Sequence, residues 1–259
     1  MPDPIEPAPA SAPAEAPSPS PEPTPAPGEP TSERVRGIFS LIARRYDVFN
    51  ALSSFGIDRL WRRDAVAAAR LTRTSRALDL CAGTGDLSLA LARLGRPAAV
   101  VGTDFVPEML EIARRKARAY KGRTSLTFEV ADAQDLPFPD ASFDVVTVAF
   151  GVRNLPDRRA NFAEVYRVLK PGGRYVVLEF SRPGFAPWRW FYHAYLRFVI
   201  PTIGGLLTRD RASFVYLNDS IRSFPDQGAL AAELRQHGFS AISWEDRTGG
   251  VVAIHVAVK

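Results

Sequence analysis

The sequence predicts an α/β protein with a doubly wound, mostly parallel seven-stranded sheet, N-terminal lid helices and a C-terminal antiparallel hairpin. Three observations predict this class. Short apolar runs of strand length alternate with helical patterns, a glycine turn follows the first of these runs, and only a Gly-Gly turn separates the last two. Strands that alternate with helices require right-handed crossovers and therefore form a parallel sheet.

The first predicted strand ends at Leu80 and leads into a turn that contains Gly83 and Gly85. Leucines at helical spacing follow over residues 86–94. A strand, a glycine turn and a helix N-terminus form a nucleotide-binding element, because the backbone approaches the ligand closely and unpaired N–H groups face it. An ordinary strand-to-helix turn is the alternative interpretation.

Acidic residues around this turn favour a cationic ligand without phosphate groups. Asp86 opens the helix and would repel a pyrophosphate, while Asp79 lies just before the turn. Asp104 ends the second strand, where a carboxylate can accept hydrogen bonds from both ribose hydroxyls. After the third strand, Asp132 can accept from an adenine amino group, and Ala133 leaves room for the ring. S-adenosylmethionine fits this pattern.

The other elements follow in chain order. Helices at 32–50 and 57–70 precede the first strand, and they either lie over the pocket as a lid or cover the sheet. The later strands are predicted at 98–104, 126–130, 143–150, 175–180, 240–245 and 251–258. Helices are predicted at 107–119, 158–169 and 226–237, the second of them ended by the turn Lys170-Pro171-Gly172-Gly173.

Residues 185–222 interrupt this rhythm and are predicted to be an insertion that faces substrate and membrane. Over 185–207 aromatic side chains are mixed with Arg189, His193 and Arg197, as in an interfacial segment or the wall of an apolar pocket. A plain packing helix is the alternative.

Bulk composition sets the remaining limits. Residues 1–30 are rich in Pro, Ala, Glu and Ser and are predicted to be a disordered tail, with one domain over 31–259. The tail has five acidic residues and no Lys or Arg, so the +5 of the whole chain becomes +10 for the domain. That charge suits nucleic acid, an anionic membrane or an acidic substrate equally.

Cysteine, histidine and hydropathy patterns narrow the function classes. The single cysteine, Cys81, excludes a disulfide within the chain, and the three histidines are too far apart to suggest a metal site. We expect no signal peptide and no membrane span, and therefore a cytoplasmic location.

Several motifs occur in a fixed order along the chain, and they are Arg45–Asn50, Ser54–Arg62, Leu78–Leu87, Leu136–Phe138, Phe150–Asn154, Arg167–Gly173, Leu178–Ser181, Tyr216–Ile221 and Gly249–Ala253. With these motifs the chain from about Val35 onward resembles the quinone C-methyltransferase family, the demethylmenaquinone methyltransferases and 2-methoxy-6-polyprenyl-1,4-benzoquinol methylases. The resemblance implies a class I methyltransferase fold and C-methylation of a polyprenylated quinol in menaquinone or ubiquinone biosynthesis, with demethylmenaquinol favoured.

The resemblance and the residue patterns together give a predicted site. The predicted cofactor-binding residues are Tyr46, Asp79, Gly83, Thr84, Gly85, Asp104, Asp132, Ala133 and Ala149. The predicted substrate-binding residues are Asn50, Tyr192 and Tyr195. Two positions depart from the family pattern, because Ala149 stands where some members carry serine and Cys81 stands where the class I consensus has glycine.

Arg153 and Asn154 are the predicted catalytic residues, since they follow the carboxyl end of the fourth strand. The resemblance suggests that Arg153 is a base acting through water. An arginine pKa above about 12 instead favours stabilisation of a phenolate, with water taking the proton. A structural ion pair is the alternative for Arg153.

The predicted partners are a polyprenylated quinol and the inner face of the cell membrane, to which a basic body would dock peripherally. Nucleic acid is not expected, because no base-flipping motif is present. A homodimer is left open. The competing interpretations are an O- or N-methyltransferase of a soluble small molecule and a non-catalytic scaffold of a quinone-biosynthesis assembly.

Overall fold

The computed structural model describes residues 31–208 and 212–259. It contains one seven-stranded sheet, built from β1 (Arg76–Leu80), β2 (Ala99–Asp104), β3 (Ser125–Val130), β4 (Phe143–Ala149), β5 (Leu169–Phe180), β6 (Ser240–Arg247) and β7 (Val252–Val258). The strand order is β3-β2-β1-β4-β5-β7-β6. Strands β1 to β5 are parallel, and β7 is antiparallel to both β5 and β6. The predicted fold class is therefore confirmed.

The helices lie on both faces of this sheet. They are α1 (Ser32–Ser53), α2 (Asp58–Ala69), α3 (Asp86–Ala90), α4 (Pro107–Arg118), α5 (Arg158–Val168), α6 (Ala186–Ala194), α7 (Ile200–Thr208), α8 (Ala212–Ser223) and α9 (Gln227–Gln236). Helices α3 and α6 each continue into a π-helical turn. Neighbouring residues of β4 serve opposite cores, Val145 packing with α2 and α3 and Val146 with α5 and α9, as the alternation of a strand requires.

The two N-terminal helices have different roles. Helix α2 covers the sheet, because its Trp61 and Ala65 are buried in one of the two cores. Helix α1 lies beside the carboxyl ends of the strands, where Arg36 donates to the Phe105 carbonyl (3.0 Å) and Ser40 to Glu108 (3.2 Å). Only α1 is therefore placed as a lid.

The prediction for the start of β5 is wrong. Lys170–Gly173 was predicted to be a turn before a strand at 175, yet β5 already begins at Leu169, which pairs with Phe143. The four residues form a bulge in the strand, since the register resumes at Arg174 opposite Val145. Gly172 and Gly173 pair with the backbone of Lys259, so tertiary pairing keeps this glycine-rich segment in the sheet.

The remaining predictions concern the N-terminal tail, membrane-spanning helices and the insertion. The disordered tail at 1–30 lies outside the described residues. Within 31–208 and 212–259, no helix combines the length and apolar character needed to cross a membrane. The described residues of the insertion at 185–222 form α6, α7 and most of α8.

Candidate active site

The carboxyl ends of β1, β2 and β4 open into three adjoining clefts, which we call the strand-end groove. Eight of the nine predicted cofactor-binding residues line it, namely Tyr46, Asp79, Gly83, Thr84, Asp104, Asp132, Ala133 and Ala149. Gly85 does not. It adopts a φ of +81°, and a Cβ there would come within 2.9 Å of Ala113 and 3.0 Å of Phe128, so packing of α3 requires the glycine.

Asp104 is the best-supported acceptor in the groove. One carboxylate oxygen accepts from the Gly83 N–H (2.8 Å) and the other from the Val106 N–H (2.9 Å). A carboxylate has about four acceptor sites, so each oxygen can still accept from a ligand hydroxyl. Burial raises the pKa of Asp104 to about 6, although hydrogen bonds from the backbone N–H groups of Val106, Gly83 and Phe105 oppose the shift.

Asp79 is also buried, but its oxygens serve the protein itself. It accepts from Ser88 Oγ (2.5 Å) and from Thr147 Oγ1 (2.8 Å), which ties the end of β1 to α3 and β4. Burial raises the pKa of this carboxyl to about 6. Asp79 therefore holds the shape of the glycine turn, whatever contact it makes with a ligand.

A polar cluster connects the lid helix to the glycine turn. Thr84 Oγ1 donates to Asp47 Oδ1 (2.5 Å), and Lys116 Nζ donates to Thr84 Oγ1 (3.0 Å). The same ammonium lies 2.6 Å from Asp47 Oδ2 and 2.7 Å from Asp86 Oδ1. The sequence did not predict roles for Asp47 or Lys116. Asp47 lies inside the Arg45–Asn50 motif, whereas nothing in the local pattern identifies Lys116.

An apolar cavity of about 910 Å³, partly open to solvent, lies beside the groove. Side chains from α1, α2, the end of β5 and the α6–α8 insertion form its walls, among them Phe39, Phe49, Trp61, Phe180, Leu196, Ile200, Leu217 and Ile221. The predicted substrate-binding residues Asn50, Tyr192 and Tyr195 all line it, as do Arg153 and Asn154. The insertion thus faces this cavity.

Arg153 forms a buried ion pair with Glu179 at the polar end of the cavity. Its Nη1 lies 2.8 Å from Glu179 Oε1 and donates to the Phe150 carbonyl (2.5 Å), and the two side chains are 3% and 2% exposed. Arg153 Nε is buried and has no hydrogen-bond partner within the described part of the chain. Burial raises the pKa of Glu179, against the opposing effect of Arg153. Glu179 lies within the Leu178–Ser181 motif, but no local pattern pairs it with Arg153.

Other polar groups surround this ion pair. Asn154 Nδ2 donates to the Phe150 carbonyl (3.2 Å), and the Tyr216 hydroxyl donates to Asn154 Oδ1 (3.3 Å). The Tyr192 hydroxyl is buried without a partner among the residues described, and burial raises its pKa. Tyr195 instead donates to the Ser53 carbonyl (2.6 Å), which ties the insertion to the end of α1.

The groove and the cavity meet. Tyr46, Phe150 and Asn154 line both of them, so a ligand in the groove would lie next to one in the cavity. Burial raises the pKa of the Tyr46 hydroxyl, which hydrogen-bonds with Asn50. The arrangement therefore holds two ligands side by side, one against carboxylates and the other against aromatic and aliphatic side chains.

Comparison with known proteins identifies the family. The ubiE/COQ5 methyltransferase family matches residues 29–259. The chain is 44% identical over 230 residues to the ubiquinone/menaquinone biosynthesis C-methyltransferase UbiE of Geobacter sulfurreducens, covering 88% of this chain and 89% of that protein. It is 42% identical over 228 residues to the UbiE protein of Geobacter sp. strain M21, covering 88% and 97%.

A solved structure from Thermotoga maritima, a SAM-dependent methyltransferase described as a possible histamine N-methyltransferase, shares the fold. Its TM-score is 0.62 at 20% identity, over 87% of this chain and 99% of that one. The chain belongs to the ubiE/COQ5 methyltransferase family and is an enzyme that uses S-adenosylmethionine as its methyl donor.

Proposed function

We propose that this enzyme methylates a ring carbon of a polyprenylated quinol, with demethylmenaquinol as the expected acceptor. One observation carries the proposal, namely an apolar cavity lined by Arg153 and Tyr192, whose Nε and hydroxyl groups are buried and have no hydrogen-bond partner among the described residues. A quinol has the matching form, with ring hydroxyls at one end and a long hydrocarbon tail at the other. The names of the UbiE relatives point to the same substrates.

The groove fits S-adenosylmethionine. Asp104 keeps acceptor capacity for the ribose hydroxyls, and Asp132 and Ala133 line the cleft proposed for the adenine. Thr84 and Asp86 line the far end, where the methionine part of the cofactor would lie. When bound, S-adenosylmethionine supplies an electrophilic methyl group.

Arg153 stabilises negative charge on the acceptor. A ring carbon is a poor nucleophile until the adjacent hydroxyl loses its proton and the oxygen feeds charge into the ring. Arg153 pairs with Glu179 through Nη1, and its Nε–H, which has no hydrogen-bond partner among the described residues, can donate to the developing phenolate. Asn154 and Tyr46 lie where a water molecule that takes the proton could be held.

We also propose that the enzyme docks on the cytoplasmic face of the cell membrane, where a polyprenyl tail resides. The support is the insertion, on which Phe185, Trp190 and Phe198 are 71%, 74% and 64% exposed. Exposed aromatic side chains beside basic residues are typical of interfacial segments.

The test is methyl transfer from labelled S-adenosylmethionine to demethylmenaquinol and to the methoxy-benzoquinol, each beside a soluble phenol without a prenyl chain. Leu217 is half-buried in the cavity wall, so Leu217→Trp should narrow the cavity and reduce transfer to the prenylated quinol, while cofactor binding persists. Leu94→Trp makes the same change at an exposed site outside the cavity and should leave transfer unchanged.

The outcomes separate the competing functions. Transfer to a prenylated quinol supports the proposal and identifies the acceptor. Transfer to the soluble phenol alone would contradict it and favour a soluble substrate. Absence of cofactor binding would favour a scaffold.

A further inference from the structure

A second pocket, of about 730 Å³, shares one wall with the apolar cavity. Tyr192, Leu196 and Ile221 line both spaces. Four basic side chains also line the second pocket, and they are Arg182, Arg189, His193 and Arg222. We call this second pocket the basic pocket.

The positive charges of the basic pocket have no carboxylate opposite them. Within residues 31–208 and 212–259, no Asp or Glu lines the pocket and no ion pair includes Arg182, Arg189 or Arg222. Converging cations without a counter-charge repel one another and create a local positive potential. That potential favours binding of an anion.

Neutral backbone groups position two of these arginines. Arg182 Nη2 donates to the carbonyls of Arg222 (2.9 Å) and Phe224 (3.2 Å), at the C-terminal end of α8. Arg189 Nη1 donates to the Pro183 carbonyl (3.4 Å). Because a guanidinium has five N–H donors, both retain donors for a ligand. Burial and the three neighbouring arginines lower the pKa of His193.

The guanidinium groups of the pocket favour a phosphate as its ligand, and the position of the pocket favours a phosphate that belongs to a lipid. Guanidinium groups match phosphate oxygens in a paired, planar geometry. The exposed aromatic residues Trp190 and Phe191 belong to the same helix as Arg189 and His193, so an anion bound there would lie at the level of an interfacial aromatic patch.

We propose that the basic pocket binds the phosphate of an anionic phospholipid headgroup. The bilayer would then dock one wall away from the cavity that receives the prenyl tail, a consequence that rests on the proposed function. Each arginine near an anionic membrane strengthens binding about fivefold, so loss of three should weaken it about 100-fold.

The experiment measures binding of the full chain to vesicles of phosphatidylcholine, and to vesicles of one part phosphatidylglycerol with three parts phosphatidylcholine. The test variant is R182Q/R189Q/R222Q. The matched control, R118Q/R123Q/R235Q, removes the same charge from exposed arginines elsewhere. Cofactor binding by each variant shows that it is folded. The binding assay requires no methyl transfer, so failure of the proposed function leaves it interpretable.

We expect strong binding to the phosphatidylglycerol vesicles by the wild type and the control, and a loss of about 100-fold in the test variant. Equal losses in both variants would overturn the proposal, because net charge alone would then explain binding. Inorganic phosphate is titrated separately while the His193 resonance is followed. Binding of free phosphate without vesicle binding would assign the pocket to a soluble phosphate and overturn the lipid assignment.

Discussion

Replacement of Arg153 by lysine tests its catalytic role. Lysine can keep a positive charge opposite Glu179, but it lacks the Nε–H and the planar fork that the phenolate would use. Loss of one donor to a developing oxyanion lowers kcat about 10²- to 10³-fold, and we expect a loss of that size for Arg153→Lys. Affinity for S-adenosylmethionine should not change, because Arg153 does not line the strand-end groove.

A double-mutant cycle separates catalysis from folding. Arg153→Met or Glu179→Gln alone leaves one partner of a pair whose side chains are only 3% and 2% exposed, and breaking a buried pair costs about 3–5 kcal/mol. The double variant removes both charges and should recover most of the free energy of unfolding in urea, yet remain inactive. Recovery of methyl transfer together with stability, or near-normal kcat in Arg153→Lys, would refute the reasoning.

Three further predictions concern the groove and the lid. Protonation of Asp104, whose pKa is raised to about 6, removes a hydrogen-bond acceptor from the groove. Calorimetry should therefore show that the affinity for the cofactor falls as the pH drops through about 6. If the pH dependence of this affinity were the same in Asp104→Asn, the result would contradict the prediction. Gly85→Ala should lower the free energy of unfolding by about 2–5 kcal/mol, because the new Cβ adds overpacking to backbone strain. Gly83→Ala should lower it by only about 1–2 kcal/mol, because a Cβ there would meet nothing closer than 4.0 Å and only the backbone strain remains. Equal losses of the two variants on urea unfolding would contradict the packing role of Gly85. Asp47→Asn should speed hydrogen exchange in α1 and weaken cofactor binding. The free energy of global unfolding should change by less than about 1 kcal/mol, because the polar cluster of Asp47 and Lys116 is partly exposed. Unchanged hydrogen exchange would show that this cluster does not hold the lid.

Much of the fold and the groove could be predicted because the relevant signals are local. Alternating apolar residues, the glycine turn and acids at strand ends are each contained in a few residues. Parallel topology then brings the ends of β1, β2, β3 and β4 to one edge, so Asp104 at the end of β2 and Asp132 just after β3 converge without further information. Gly85 shows the limit of this reasoning, since a turn glycine can be required by packing as well as by a ligand.

The parts that the sequence did not predict depend on contacts between distant segments. Glu179 faces Arg153 because β5 pairs with β4, the strand that precedes the turn containing Arg153, and Lys116 reaches Asp47 from a different helix. The insertion showed an aromatic and basic composition, but only the folded arrangement of α6 and α8 reveals that Arg189 and Arg222 share a pocket.

The most direct test of the central claim is the position of the transferred methyl group. The enzyme is incubated under reducing conditions with demethylmenaquinol and S-adenosylmethionine carrying a carbon-13 methyl group, and the product is examined by NMR. We predict a signal from a methyl group bonded to a ring carbon, lost in Arg153→Lys. A signal from a methoxy carbon would contradict the account, because it would mean that the cavity presents the quinol oxygen, and not the ring, to the methyl donor.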